Sequence, residues 1–460
     1  MKKFDLNIEK VLEDWEVFHA VREIIANALD EQVLTKTKDI EIKKDKNRFI
    51  IRDYGRGLRY EHLTQNENEE KITNHQLVIG KFGVGLKDAL ATFDRHQIKI
   101  ILRSRYGDIT IDKSSKHGFD DIVTLHAIIS EPSDPNLVGT EVILEGCTQD
   151  DIDKAKSLFL KFSGEKILEK TEYGEILQRV DISTAKIYIN GIRVAEEENF
   201  LFSYNITSLT SAMRKALNRE RTHVGRTAYT ERVKTILLSS SEKKVAQLLV
   251  QDLEGYQKGT EHDEMKYIDV AVHACKILNT SSKVIFVTPQ QLQYDTMAVD
   301  NAKRDGLEIV VVPETISQKI NGEKDLAGNI MRDLQFYNEE WNASFQFKFV
   351  KPEDLSKYER EIYEKTHSIF KLIGGQPKEI KEVLISETMR RENTGMEAVG
   401  LWEQEKERIV IKREQLRDLR SYAGTLLHET SHATSGAGDV SREFEERLTH
   451  LLGLISSKSI

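Results

Sequence analysis

The pentapeptide His428-Glu429-Thr430-Ser431-His432 constrains this chain more than any other stretch. Positions i and i+4 share one face of an α-helix, so a helix here presents two imidazoles to one metal ion with a carboxylate beside it. The residues ahead of the pentapeptide call for that helix. Leu416, Leu419, Tyr422, Ala423, Leu426 and Leu427 recur close to the 3.6-residue period of a helix packed on a core. The spacing predicts a helix over 416–434. There His428 and His432 would hold Zn²⁺ while Glu429 takes a proton from the zinc-bound water, chemistry suited to peptide hydrolysis.

Gly436-Ala437-Gly438-Asp439 then reverses the chain, and Ser441 to about Leu454 reads as a second helix with apolar members Phe444, Leu448, Leu451, Leu452 and Ile455. Glu445 stands three before Leu448 and seven before Leu452, on or beside that stripe, whereas Glu443 and Glu446 point elsewhere. A carboxylate facing a core is costly unless a cation meets it, so Glu445 is the expected third zinc ligand. Asp439 is expected to cap the second helix, with orientation of a ligand histidine as the alternative. This part resembles the gluzincin-type zinc metallopeptidases, in which H-E-x-x-H on one helix is completed by a glutamate on the next. A surface helix that carries two histidines among several acids is the plainer reading.

The chain has 460 residues, 39% hydrophobic and 31% charged, which gives length for two to four domains. Its net charge of -9 argues against broad attachment to nucleic acid. Two cysteines, Cys147 and Cys275, cannot make a disulfide framework, and a reducing cytoplasm fits. Met1-Lys2-Lys3 is followed by acids rather than an apolar run, so no signal peptide is expected. Nowhere do eighteen apolar residues run together, and no membrane span is expected.

At the front of the chain, Trp15 to Leu34 reads as a helix that sets Glu23, Asn27 and Asp30 on a common face. A strand-like run, Arg48 to Arg52, leads into Asp53-Tyr54-Gly55-Arg56-Gly57. Farther on come Gly80-Lys81-Phe82-Gly83-Val84-Gly85-Leu86-Lys87 and a strand opened by Gly139-Thr140. Glycines at this density let a backbone approach phosphate oxygens at a helix N-terminus.

Those four boxes, in that order, resemble the ATP-binding domain of the GHKL superfamily, which includes gyrase, the ninety-kilodalton heat-shock chaperones, histidine kinases, MutL and MORC proteins. The resemblance covers about residues 10 to 150. It implies a Bergerat-type α/β sandwich in which Glu23 activates the attacking water and Asn27 holds Mg²⁺. It also implies that Asp53 accepts from the adenine amino group in a pocket shaped by Gly55 and Gly57, with Thr140 supporting the adenine side. Asp30, Gly80, Gly83, Val84, Gly85, Leu86 and Lys87 would complete the nucleotide site under a lid of about residues 60 to 82. Glu23 favours hydrolysis over phosphotransfer.

Residues 151–255 read as mixed helix and strand, with a hairpin at Asn190-Gly191. They look like the transducer domain that follows such ATPases, where a basic side chain, here Arg219 or Arg221, reaches the γ-phosphate. An exposed basic loop is the alternative. Residues 256–460 form the third expected domain, zincin-like, beginning with strand Lys283–Thr288, helix Gln290–Arg304 and strand Leu307–Val312. Residues 325–372 read as mostly helical, and short strands are expected at Glu382–Ile385 and Arg408–Ile411. In zinc peptidases of this kind a sheet edge beside the zinc helix receives the substrate chain, which the resemblance implies here.

The sequence therefore points to a multidomain α/β (α+β) protein that binds and hydrolyses ATP with Mg²⁺. It would cleave a protein substrate with Zn²⁺ under nucleotide control and form a homodimer through its ATPase domain. The alternatives are a chaperone-like remodelling ATPase with an inert zincin-like domain and, ranked last, a nucleic-acid-linked ATPase of the MORC or MutL kind. A protease switched in this way suits protein quality control, stress signalling or defence against phage.

Overall fold

The computed structural model describes residues 2–6, 8, 14–63, 78–79, 85–116, 119–217, 224–253, 255, 259–392 and 396–459. The chain is mixed α/β and divides into two compact units, Met1–Ala274 and Cys275–Ile460. No helix among the described residues is long and apolar enough to cross a membrane.

The first unit opens with β1 (Lys2–Asp5), β2 (Glu41–Asp45), β3 (Arg48–Arg52), β4 (Lys99–Ser104), β5 (Gly107–Lys116), β6 (Phe119–Ser130) and β7 (Thr140–Glu145). They form one seven-stranded sheet in the order β1-β6-β5-β4-β7-β3-β2. Every neighbouring pair is antiparallel. Strand β4 alternates buried and more exposed residues along its length, as a sheet with one covered face requires. The cover is helical. Helices Val17–Thr35 and Gly85–Arg95 share a core with the sheet through Ile24, Ile25, Leu90, Phe93, Leu102 and Leu144.

A second sheet follows, built from β8 (Lys166–Lys170), β9 (Gly174–Gln178), β10 (Ala185–Ile189), β11 (Ile192–Glu197) and β12 (Ser203–Ile206), in the order β11-β10-β12-β9-β8. The turn between β10 and β11 is the expected Asn190-Gly191 pair, with φ of 48° and 83°. Both central residues at positive φ match the right-handed twist of the flanking strands.

The first compact unit runs to Ala274. Buried Glu264 belongs to it. Its carboxylate accepts the backbone N–H of Leu201 at 2.9 Å and the Tyr204 hydroxyl at 2.8 Å, while the Asp263 N–H donates to Asn199 O at 2.9 Å. A buried acid must find donors, and here the donors belong to the second sheet. The residues just before helix Ile268–Ser281 are thereby fastened to the first unit.

In the second unit, β13 (Val284–Val287) and β14 (Glu308–Val311) pair in parallel. The single helix expected between them is broken at Asp295 into Pro289–Tyr294 and Thr296–Arg304. The stretch expected to be mostly helical holds helices Leu334–Ser344, Lys357–Tyr363 and Lys365–Leu372, with a turn-rich segment before the first and a short strand before the second. A four-stranded sheet contains β15 (Phe349–Val350), β16 (Glu382–Ser386), β17 (Gly400–Glu403) and β18 (Arg408–Lys412), ordered β15-β16-β18-β17. Strands β16 and β18 are the two expected from sequence. Strand β17 was not expected, and it forms the edge.

Candidate functional site

Helix Leu419–Ser435 bears the pentapeptide. Asp418 caps its start by accepting the Ser421 N–H at 2.7 Å, and Gly436, at φ 69°, ends it by donating to His432 O. Tyr422, Leu426 and Leu427 join the core of the unit, while His428 and His432 line a cleft of about 700 Å³. There His428 Nε2 and His432 Nε2 lie 3.2 Å apart, and Asp439 Oδ1 sits 2.9 Å from the first and 3.0 Å from the second.

These three atoms fit a zinc ion. Tetrahedral zinc, at about 2.0–2.1 Å from each donor, needs donors about 3.3 Å apart. His432 Nδ1 lies 2.8 Å from Ala437 O, which can only accept, so Nδ1 carries a hydrogen and Nε2 is the nitrogen left to face a metal. Two imidazoles with one carboxylate suit zinc.

The carboxylate that meets the two imidazoles is that of Asp439, and not that of Glu445, the expected third ligand. Among the described residues, the cluster able to hold a metal is His428, His432 and Asp439. Glu445 is exposed on helix Arg442–Ser459 and does not line the cleft. The inward positions of that helix are Phe444 and Leu451, whereas Leu452 is 51% exposed, so the buried stripe is rotated from the expected one. Phe444 stacks on His432 with ring centroids 4.4 Å apart, filling the place assigned to the carboxylate. The capping role expected of Asp439 falls to Ser441, whose Oγ accepts the Phe444 N–H at 3.3 Å.

Glu429 points into the same cleft and is buried. Burial pushes its carboxyl up to about 7, with Asp439 and Glu392 acting in the same direction and His432 and the Trp402 N–H opposing. A carboxylate poised near neutrality suits proton transfer at ordinary pH. The Trp402 amide comes from edge strand β17, which runs beside the helix. Close approach of strand and helix depends on Gly400, where a Cβ would come within 2.6 Å of Glu429 Oε1 and 2.5 Å of Thr425 Cγ2. Gly400→Ala is expected to displace Glu429, lowering stability by about 1–3 kcal/mol and any Glu429-dependent hydrolysis by at least about tenfold. Urea denaturation and a peptide cleavage assay check both.

In the first unit, helix Val17–Thr35 organises the residues of the expected nucleotide site. Glu23 is buried and paired with buried Arg22, Nη2 to Oε1 2.9 Å. A Cβ on Gly85, the first residue of its helix, would lie 2.3 Å from Glu23 Oε2. Two turns along, Asp30 Oδ1 accepts the Ile79 N–H at 2.6 Å, and Glu31 Oε1 accepts the Arg56 N–H at 2.8 Å. Asp53 is buried and accepts the N–H groups of Gly55 at 2.9 Å and Thr140 at 3.2 Å on one oxygen. Burial raises its pKa, and those two amides oppose the rise. Gly57 adjoins Gly139, whose own missing Cβ would fall on Asp53 O.

One helix thus ties Glu23, Asp30, Asp53, Gly55 and Gly85 together, with Thr140 held through Asp53. Asn27 lies half-buried on the same helix, and Leu86 and Lys87 occupy the first turn after Gly85. A buried carboxylate with an amide pair on one oxygen and close glycine backbone around it fits an adenine amine. Gly80, Gly83, Val84, Arg219, Arg221 and most of the expected lid lie outside the described residues. Sequence reasoning missed Arg22, Glu31 and Trp402. Arg22 was visible only as the neighbour of Glu23, and the pairing of Glu31 with Arg56 needs the fold.

A family model described as the Mycoplasma pneumoniae MPN635 N-terminal domain matches residues 150–243, which hold all of β8 to β12. An uncharacterized protein of Mycoplasma pneumoniae is 37% identical over 248 residues, covering 53% of this chain and 99% of the relative. The chain belongs to this mycoplasma protein family. Another relative of the family member described here, also an uncharacterized Mycoplasma pneumoniae protein, is 28% identical over 342 residues, or 68% of this chain and 93% of that protein.

Proposed function

We propose that this chain is an ATP-binding and ATP-hydrolysing zinc metalloprotease whose peptide hydrolysis is governed by nucleotide. The observation that carries the peptidase half is the convergence of His428 Nε2, His432 Nε2 and Asp439 Oδ1 within 4.8 Å of one another, beside Glu429. Zinc, when bound, supplies Lewis acidity and makes a water molecule acidic near neutral pH. His428, His432 and Asp439 would hold the ion, and the hydrogen bond from His432 Nδ1 to Ala437 O fixes that ring. Glu429 Oε1 and Oε2 accept the proton from the attacking water and return it to the leaving amine. The N–H of Trp402 favours the charged form of Glu429.

The ATPase half rests on the residues gathered by helix Val17–Thr35. Mg²⁺ would be held by Asn27, with Asp53 reading the adenine edge and Glu23 acting as base. With this half comes a homodimer through the first unit. Free thiols at Cys147 and Cys275 support placement in the cytoplasm.

Zinc analysis of the purified chain tests the metal centre, and about one ion per chain is expected. Glu23→Gln tests the nucleotide half. The amide keeps an acceptor for Arg22 while losing basicity, so ATP turnover should fall about 10²- to 10⁴-fold with nucleotide affinity nearly unchanged. Unchanged turnover would remove Glu23 from the mechanism.

A further inference from the structure

Among the described residues, every ionisable side chain on the wall of the cleft, the two histidines apart, is acidic: Glu392, Glu429 and Asp439, with no lysine or arginine among those lining it. Asp439 belongs to the metal triad and Glu429 to proton transfer, which leaves Glu392. Its place is fixed by its backbone. The Glu392 N–H donates to Met396 O at 2.8 Å, the Ala398 N–H donates to Arg390 O at 2.9 Å, and Arg391 bridges Glu397. Residues 396–398 run directly into edge strand β17.

The charges around Glu392 are committed within the fold. Arg391 Nη1 donates to the Tyr337 hydroxyl at 3.2 Å, Arg390 Nη2 lies 3.9 Å from Glu403, and Lys412 pairs with Glu397 at 3.0 Å. The Glu392 carboxylate is exposed and makes no hydrogen bond or ion pair with the described residues. A bound divalent zinc ion would balance Asp439 and Glu429, leaving the charge of Glu392 on the cleft wall.

We infer that Glu392 is a specificity-determining residue that selects peptides with a lysine or arginine side chain next to the bond held over the metal centre. The inference rests on the peptidase reading of the cleft. A cation laid along the β17 edge meets Glu392 without a competing basic group, whereas an acidic side chain there faces like charge.

The test uses the full-length chain carrying Glu429→Gln and loaded with zinc, so that binding is read apart from turnover. The probes are fluorescein-labelled dodecapeptides of neutral residues in which one lysine, or one glutamate, is walked through each position. At one or two positions the lysine peptide should bind about tenfold more tightly than the glutamate peptide by anisotropy. Adding Glu392→Gln should erase that difference, and Glu392→Lys should invert it. Equal affinities at all positions, a preference untouched by Glu392→Gln, or no binding of any peptide would overturn the inference. Failure of the chain to hold zinc would instead count against the peptidase reading, so the two failures are distinguishable.

Discussion

Glu429→Gln should lower peptide cleavage by about two to four orders of magnitude while leaving ATP turnover within about twofold. The substitution keeps the size of the side chain, and the amide oxygen can still accept the Trp402 N–H that reaches the carboxylate from β17. What disappears is basicity. Glu429 is buried, so a neutral amide in its place removes the cost of desolvating a charge, and the chain should unfold at the same or a higher urea concentration. Matched measurements of cleavage, ATP turnover and urea midpoint separate a lost proton acceptor from a lost fold. Cleavage that survives the substitution would refute the assignment of Glu429.

Zinc affinity should fall at least about 100-fold in Asp439→Ala and stay within about twofold in Glu445→Ala. Asp439 Oδ1 stands 2.9 Å and 3.0 Å from the two imidazole nitrogens, so removing it takes away one of three donors and the negative charge that balances the ion. Glu445 is exposed on the next helix, where its truncation removes no donor. Competition with a chromophoric chelator gives both affinities. If Glu445→Ala released the metal and Asp439→Ala did not, the ligand set would be the one expected from sequence. Because Asp439 also lies beside both rings, its loss should loosen the Gly436–Asp439 turn, read as faster amide hydrogen exchange there.

The contrast between these two acids shows where sequence reasoning reached its limit. The apolar spacing before His428 was enough to place both histidines on a helix, because a 3.6-residue period has one solution. The following helix had its apolar residues spread over more than one stripe, and Phe444 and Leu451 proved to be the inward ones. Which acid meets the two imidazoles then depended on the turn from Gly436 to Asp439, whose path no local pattern dictates. The same holds at the cleft wall. Strand β17 is four residues long, too short to carry a clear alternation, and only its pairing with β18 identifies it.

In the first unit the glycine-rich boxes and the acids of helix Val17–Thr35 were each visible as local chemistry, but the hydrogen bonds that join them were not. Asp30 meets Ile79 and Asp53 meets Thr140 across 49 and 87 residues of chain. The boundary after Ala274 was equally hidden, since it is set by Glu264 finding donors at Leu201 and Tyr204.

By itself the sequence determined the mixed α/β class, the histidine helix, the Asn190-Gly191 hairpin and the kinds of side chain available for chemistry. Those follow from the period of apolar residues and from the conformations that particular residues allow over a few positions. Tertiary structure alone decided that Asp439 completes the triad, that β17 is the strand at the cleft, and that Arg22 and Glu31 attach to their partners. These depend on contacts between residues brought together by burial of a shared core, and burial acts on the whole chain at once.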